Sequence, residues 1–398
     1  MLRHLFKLIW NRKRANLLLI SEIFFSFVVL FGVGTLLINF GRNYRLPFGF
    51  DSGPVWRLAI RAGQGQKMPR AELDDVLRQV QALPGVQAVA LTSDNTPFSF
   101  NNNNTRYYNH GLQSPITNNY DADDAYARVM GLRLREGRWF QPIDDASKAR
   151  PIVISQDFRE IMFGKGPAVG RAITGGNPAV DPKTDQYRVV GVVDAVRMDH
   201  DFAAPEPALW KRLEPFDTTH WETANVMVRV AAGQGGALQE KIARTVAGVT
   251  RQWSTEVRTL EDERLSKRRY TLVPVIALSL VSLFLIVNVA LGLFGVLWYN
   301  ISQRRAEIGL RRAMGASAGA ISAQFLGEMM VVTTLGVLLG VLLAAQFPLL
   351  GAFGMPTGLY AAAIGAATVA VYVITALCAW QPSRLAARIH PAVALRED

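Results

Sequence analysis

Four segments of this chain are continuously apolar, and a long stretch between the first and second carries the shorter periods of strands and amphipathic helices. Residues 17–40 (LLLISEIFFSFVVLFGVGTLLINF) hold one charge, Glu22. As a helix they extend about 36 Å, enough to cross the hydrocarbon of a bilayer. Residues 271–303 contain no charge, and a second span fits within 271–299. From Met329 to Pro382 there is again none; the run is broken only at 347–358, where Pro348, Gly351, Gly354, Pro356 and Gly358 interrupt a helix. This pattern predicts a third span at 321–346, a short outer loop at 347–358 and a fourth span at 359–380. Lipid offers the backbone no hydrogen-bond partner, so four helices are the natural architecture. Small residues at Gly292, Gly295, Gly336, Gly340, Ala344 and Ala345 allow close backbone approach within that bundle.

The stretch 41–270 reads differently. Val55–Ile60 alternates as a strand, Arg70–Leu83 as a helix and Val86–Thr92 as a strand; Asn225–Val230, Gly236–Val249 and Ser254–Thr259 repeat the order. Two β-α-β flanks, 50–92 and 225–260, predict an open sandwich of one sheet and two helices. The insertion between them, 93–224, is rich in short strands, with Pro151–Ser155 and Tyr187–Val193 the most apolar. Asn101–Asn104 and Asn118–Asn119 read as exposed tips or loops, and Glu261–Tyr270 as a charged helical segment running into the second span. The fold class is therefore an α-helical membrane protein with four transmembrane helices and a large extracytoplasmic α+β domain.

Charge sets the orientation. The formal net charge of +11 suggests a nucleic-acid partner until it is mapped. Arg3, Lys7, Arg12, Lys13 and Arg14 precede the first span; Arg304, Arg305, Arg311 and Arg312 lie between the second and third; Arg384, Arg388 and Arg396 follow the fourth. The outer stretch 41–270 is nearly balanced, with 31 Lys and Arg against 27 Asp and Glu. Basic residues beside apolar spans mark the cytoplasmic side, which places segments 1–16, 300–320 and 381–398 inside and 41–270 outside. No basic face remains for nucleic acid. The first apolar run is too long for a cleaved leader, and no small-residue cleavage site follows it, so it reads as an anchor.

Candidate catalytic chemistry is sparse. Cys378 is the only cysteine, which leaves no intramolecular disulfide and no cysteine metal site. The phosphate-binding pattern G-x-x-x-x-G-K-[ST] is missing from the 398 residues, and the five histidines show no paired ligand spacing. Asp199-His200-Asp201 has two readings, a metal site or a polar loop, of which the loop is the simpler. Glu22 and Glu328 are costly inside a membrane. Each either pairs with an arginine at the inner interface, couples to a partner, or is solvated near the cytoplasmic edge.

The segment 304–317, RRAEIGLRRAMGAS, is the most informative. With Glu328 following in the next apolar helix, it resembles the permease domain of the MacB/FtsX type of ABC transporter subunit. The outer stretch carries that family's order too, in Gly131-Leu132, Gly137-Arg138, Phe163-Gly164, Val169-Gly170-Arg171 and Val189-Val190-Gly191-Val192-Val193. So does the tail, with Pro382, Ala386, Pro391 and Ala394-Leu395-Arg396. The first-span segment NRKRANLLLISEIFFSF departs from the pattern. In this family the loop between the second and third spans is a coupling helix that docks on a nucleotide-binding subunit. The resemblance assigns that role to Glu307, Ile308, Gly309, Leu310, Arg311, Arg312, Ala313, Met314, Gly315, Ala316 and Ser317. Ile308, Leu310 and Met314 are then apolar anchors, while Arg304 and Arg305 serve topology.

The resemblance implies a permease without its own catalytic site, no directly bound cofactor, and ATP with Mg on a dimeric partner ATPase. A four-helix bundle this thin implies a second copy or a related permease beside it. Three functions share the family: export by mechanotransmission, with a periplasmic adaptor and outer-membrane channel as further partners; transmembrane control of a cell-wall enzyme; and release of lipoproteins. The large two-part outer domain favours export.

Overall fold

A computed structural model describes residues 13–63, 68–109, 111–147, 149–176, 185–213, 222–250 and 253–386. The basic segment 1–12 and the end of the tail, 387–398, lie outside the described residues, as do His4, His110, His220 and His390. The chain divides into two compact units, one of residues 1–42 with 272–398 and one of residues 43–271.

In chain order, α1 spans Lys13–Tyr44, β1 Val55–Arg61, α2 Arg70–Gln81 and β2 Val86–Thr92. The insertion holds β3 (Asn104–Thr105), β4 (Tyr108–Asn109), β5 (Leu112–Gln113), β6 (Thr117–Ala122), α3 (Tyr126–Met130), β7 (Leu134–Gly137), β8 (Arg150–Ser155), α4 (Gln156–Phe163), β9 (Ala172–Thr174), β10 (Gln186–Val193) and β11 (Ala208–Arg212). Then come β12 (Thr223–Val230), α5 (Gly236–Val249), β13 (Ser254–Thr259), α6 (Leu260–Gln303), α7 (Arg305–Ala313), α8 (Ala318–Ala344), α9 (Gln346–Leu349) and α10 (Thr357–Ala386).

The two β-α-β flanks interleave rather than sit side by side. β1 lies between β13 and β12, and β12 pairs onward to β2, all antiparallel. Alternation explains the layer. Trp56, Leu58 and Ile60 of β1 share a buried cluster with Leu73, Val76 and Val80 of α2 and with Leu238, Ile242 and Val246 of α5. Both helices thus bury stripes with helical spacing on one face of the sheet. The insertion continues the same sheet through the pair Thr92–Ala122, then runs β6-β11-β8-β10. Two of its pairings, β6 with β11 and β8 with β10, are parallel.

One expectation fails here. Asn118 and Asn119 are not loop residues but lie in β6, and Asn119 is buried. Its side-chain carbonyl accepts from the Tyr107 hydroxyl at 2.5 Å, and its backbone carbonyl accepts from the Asn95 amide nitrogen at 2.7 Å. A polar side chain whose oxygen has a partner can be buried, and the sequence does not reveal that partner. Asn101–Asn104, by contrast, are exposed.

Among the described residues, four helices are long and apolar enough to cross a membrane: Leu17–Tyr44, Leu260–Gln303, Ala318–Leu349 and Thr357–Trp380. The second is longer than the apolar run, because the charged segment from Glu261 continues into it without a break, with Pro274 inside. The connection between α8 and α10 contains α9 and a short turn of 3-10 helix, Ala352–Gly354. Small residues shape the bundle. A methyl group at Gly336 would stand 2.7 Å from Ile23 Cγ2, and one at Gly340 would overlap Phe27 Cδ1. Two large side chains of α1, four residues apart, therefore seat over two glycines of α8, four residues apart. A methyl group at Gly295 would meet no atom within 4 Å, so this glycine takes no part in the contact. Between α8 and α10, Thr333 and Thr375 hydroxyls meet at 3.1 Å, and Thr334 and Tyr372 at 2.8 Å.

Candidate functional site

The segment 304–317 folds as a short helix between two long ones. Its residue types set its limits. At the end of α7, Gly315 has φ +95°, a backbone conformation that costs glycine nothing. This allows the Gly315 N–H to donate to Arg312 O at 3.1 Å and the Ala316 N–H to Arg311 O at 3.0 Å. Those two bonds take up carbonyls that a helix end leaves open. Ser317 then caps α8, its hydroxyl accepting from the Ala320 N–H at 3.2 Å. The Gly-Ala-Ser run is thus a stop signal followed by a start signal. Its pattern follows from the turn and needs no partner to explain it.

An ionic chain ties α7 to α8. Arg304, at the N-cap of α7, donates from Nη1 to Glu328 of α8 at 3.1 Å and 3.4 Å. The Gln324 amide donates to Glu328 Oε1 at 3.2 Å, and Arg311 Nη1 donates to Gln324 Oε1 at 2.7 Å. Arg311 Nη2 also pairs with Glu307 Oε1 at 2.5 Å, one turn back on α7. Both members of the Arg304–Glu328 pair are largely buried, and each carboxylate oxygen of Glu328 has a donor. Of the readings open for Glu328, pairing with an arginine is the one realised, and Arg304 is its partner. The sequence leaves this pairing open, although a carboxylate in the early turns of an apolar helix beside a basic loop is a signal for it.

The faces of α7 divide cleanly. Ile308 is buried in the bundle cluster that also contains Leu297, Ile301, Ile321 and Phe325, so it is not available as an anchor for a partner. Gly309 is buried as well. Leu310 is 52% exposed and Met314 73%, and Glu307, Ala313, Gly315 and Ser317 are exposed with them. Arg311, Arg312 and Ala316 are half-buried. Glu22 lies on α1 beside α6, where a methyl group at Gly292 would stand 2.7 Å from its Oε2; it is not brought to α7.

Elsewhere, in the Asp199–Asp201 loop, one oxygen of each carboxylate meets a cation. Asp199 Oδ1 pairs with Lys267 Nζ at 2.7 Å, and Asp201 Oδ1 accepts from Arg264 Nε at 2.6 Å. His200 Nδ1 accepts from the Phe202 N–H at 3.1 Å, and burial pulls its pKa below the ordinary imidazole value. No group of three or more metal-binding side chains occurs among the described residues.

Comparison with known proteins places these features. The family model of the MacB-like periplasmic core domain matches residues 18–245, and that of the FtsX-like permease C-terminal matches 279–391. The chain is similar to "Macrolide export ATP-binding/permease protein MacB 1/2" of Paracoccus denitrificans, 26% identical over 60% of this chain and 35% of that protein. It is similar to the MacB of Chromobacterium violaceum, 27% identical over 69% of this chain and 42% of that protein. It thus spans well under half the length of these relatives. Among solved structures it matches the periplasmic region of MacB from Actinobacillus actinomycetemcomitans, covering 55% of this chain and 94% of that one (12% identity, TM-score 0.39). It also matches the extracellular domain of the ABC-type transporter YknZ from Gram-positive bacteria, covering 50% and 99% (16% identity, TM-score 0.34). With a periplasmic core domain and an FtsX-like permease domain matched over most of its length, the chain belongs to the MacB/FtsX family of ABC transporter permeases.

Proposed function

We propose that this chain converts ATP hydrolysis by a nucleotide-binding partner into movement of its outer domain, and that α7 is where the partner docks. The observation that carries the reading is the division of α7. One face is bonded to α8 and buried, and the other presents Leu310 and Met314 to solvent, more than half exposed among the described residues. An apolar pair left exposed beside charged groups is the composition of a docking patch rather than of a solvated turn. The ionic chain gives such a patch a rigid base, because a push on α7 is resisted by the bond from Arg304 at its N-cap to Glu328 of α8 and by that from Arg311 to Gln324 of α8.

In this reading segments 1–16, 300–320 and 381–398 are cytoplasmic and residues 43–271 lie in the periplasm. ATP and Mg bind on a dimeric ATPase carried on a separate chain, and a second permease completes the complex. The named relatives join ATP-binding and permease functions in one protein, and no phosphate-binding loop occurs in these 398 residues. The work done is export of substrate, through an adaptor and outer-membrane channel where these are present.

The test is pairwise. A candidate ABC ATPase from the same genome is co-expressed with the wild-type chain and with a Leu310→Asp, Met314→Asp variant, and co-purification and ATPase stimulation are measured. The variant is expected to lose both. An equal yield of complex with equal stimulation would remove α7 as the docking element.

A further inference from the structure

The domain unit begins at Asn43, in the last turn of α1, and ends at Thr271, within α6. Both ends of this unit are bonded to the loop that follows β10. Arg197 in that loop is 2% exposed. Its guanidinium donates to five backbone carbonyls: Pro47 O at 3.1 Å, Asn43 O at 2.9 Å, Asp201 O at 2.8 Å, Ala203 O at 3.2 Å, and Leu46 O. Three of the five belong to the chain leaving α1. The remaining two hold the loop closed on itself. A buried cation is costly unless it is hydrogen-bonded; here Nε meets one carbonyl, Nη2 one and Nη1 three, so an Nη1 hydrogen is shared, and an ammonium, a point charge with three donors, cannot span the same set.

The same loop reaches the other end. Asp201, 1% exposed, accepts from Arg264 Nε of α6 at 2.6 Å, and Arg268 stands 3.8 Å away. Lys267 pairs with Asp199 and donates to Ser99 O at 2.8 Å. Phe48 completes the joint. Two cations lie over its ring, with the Arg197 guanidinium carbon 4.5 Å and the Arg264 carbon 4.7 Å from its centroid. Asn43 donates to Phe202 O at 3.0 Å, and Tyr44 stacks on Phe202.

We propose that Arg197 is the positioning residue of a joint, built wholly within residues 43–271, that holds segment 43–47 and the first turns of α6 to one loop. The joint does not rest on the coupling reading above, and it is tested without an ATPase.

Hydrogen exchange is followed by mass spectrometry on the full chain in nanodiscs, for wild type, Arg197→Lys and Arg264→Met. Arg197→Lys keeps the charge but is expected to raise exchange at least tenfold in peptides covering 43–51 and also in those covering 261–271, with β1 and β12 unchanged. Loosening confined to 43–51 would overturn the proposal and make Arg197 a local support of one end. If Arg197→Lys unfolds the whole domain, Arg264→Met decides, because it leaves the carbonyl shell of Arg197 in place. Loosening of both segments supports the joint, and loosening of α6 alone sinks it. A joint that behaves as expected in a protein that binds no ATPase would refute the coupling reading and leave this one standing.

Discussion

The Arg304–Glu328 pair permits a quantitative test of how α7 is held. The helix has nine residues, too few to persist on local bonds alone, so its order depends on what it touches. Burying Ile308 contributes about 2 kcal/mol. The other support is the ionic chain through Arg304, Glu328, Gln324 and Arg311. Removing one member of a buried pair costs about 3–5 kcal/mol, because the other charge stays buried without compensation. In Arg304→Met, Glu328 keeps the Gln324 amide as a donor, so the low end applies, about 3 kcal/mol. At about 1.4 kcal/mol per factor of ten, local opening of α7 becomes roughly a hundredfold more frequent, and its amides exchange that much faster. Glu328→Gln keeps a carbonyl oxygen for Arg304 and should cost about 1–2 kcal/mol. The double variant leaves no buried charge, and its opening should be rarer than the two single effects predict, by about 2 kcal/mol in a double-mutant cycle. The assay is hydrogen exchange of peptides covering 305–317 in nanodiscs. Arg304→Met within threefold of wild type, or a cycle that is additive, would show that α7 is not held by this pair.

Three further outcomes follow from packing and burial. Gly340→Ala places a methyl in overlap with the Phe27 ring and should weaken the α1–α8 contact by about 1–3 kcal/mol, read as a lower unfolding midpoint in mixed detergent; Gly295→Ala, with open space around it, serves as the neutral control. Asn119→Ala leaves the buried Tyr107 hydroxyl without its acceptor and should cost about 1–3 kcal/mol of domain stability by thermal denaturation, with little change if Tyr107→Phe is made as well. Burial raises the Asp123 carboxyl from 3.8 to about 6, against the backbone N–H groups of Leu91 and Ala125 that favour its charged form. The folded domain therefore prefers the protonated group. The stability it contributes is full below about pH 4 and is lost as the pH rises to about 6, and Asp123→Asn should flatten the melting temperature across that window.

The four spans and the two flanking β-α-β units were legible from the sequence because each rests on a local period. Lipid removes backbone partners, so an uncharged run of this length has one stable form. A sheet with helices on one face imposes alternation on β1 and a three-to-four spacing on α2 and α5, and both are written in consecutive residues. The turn at Gly315–Ser317 belongs here as well, since a positive φ and a helix cap each select their residue types locally. What only the tertiary structure decided are pairings between distant positions. Whether Ile308 faces a partner or its own bundle depends on how α7 is rotated against α8, and neither period nor composition sets that angle. Asn119 looks like a turn residue until Tyr107 and Asn95 are brought to it. Glu328 and Arg304, 24 residues apart, could each have been solvated at a membrane edge, and only the packing that excludes water from both makes them a pair. The residues of segment 304–317 were thus enough to predict a short helix with its stop and start signals. The face this helix presents could not be read from them, because burial is a property of neighbours rather than of the segment itself.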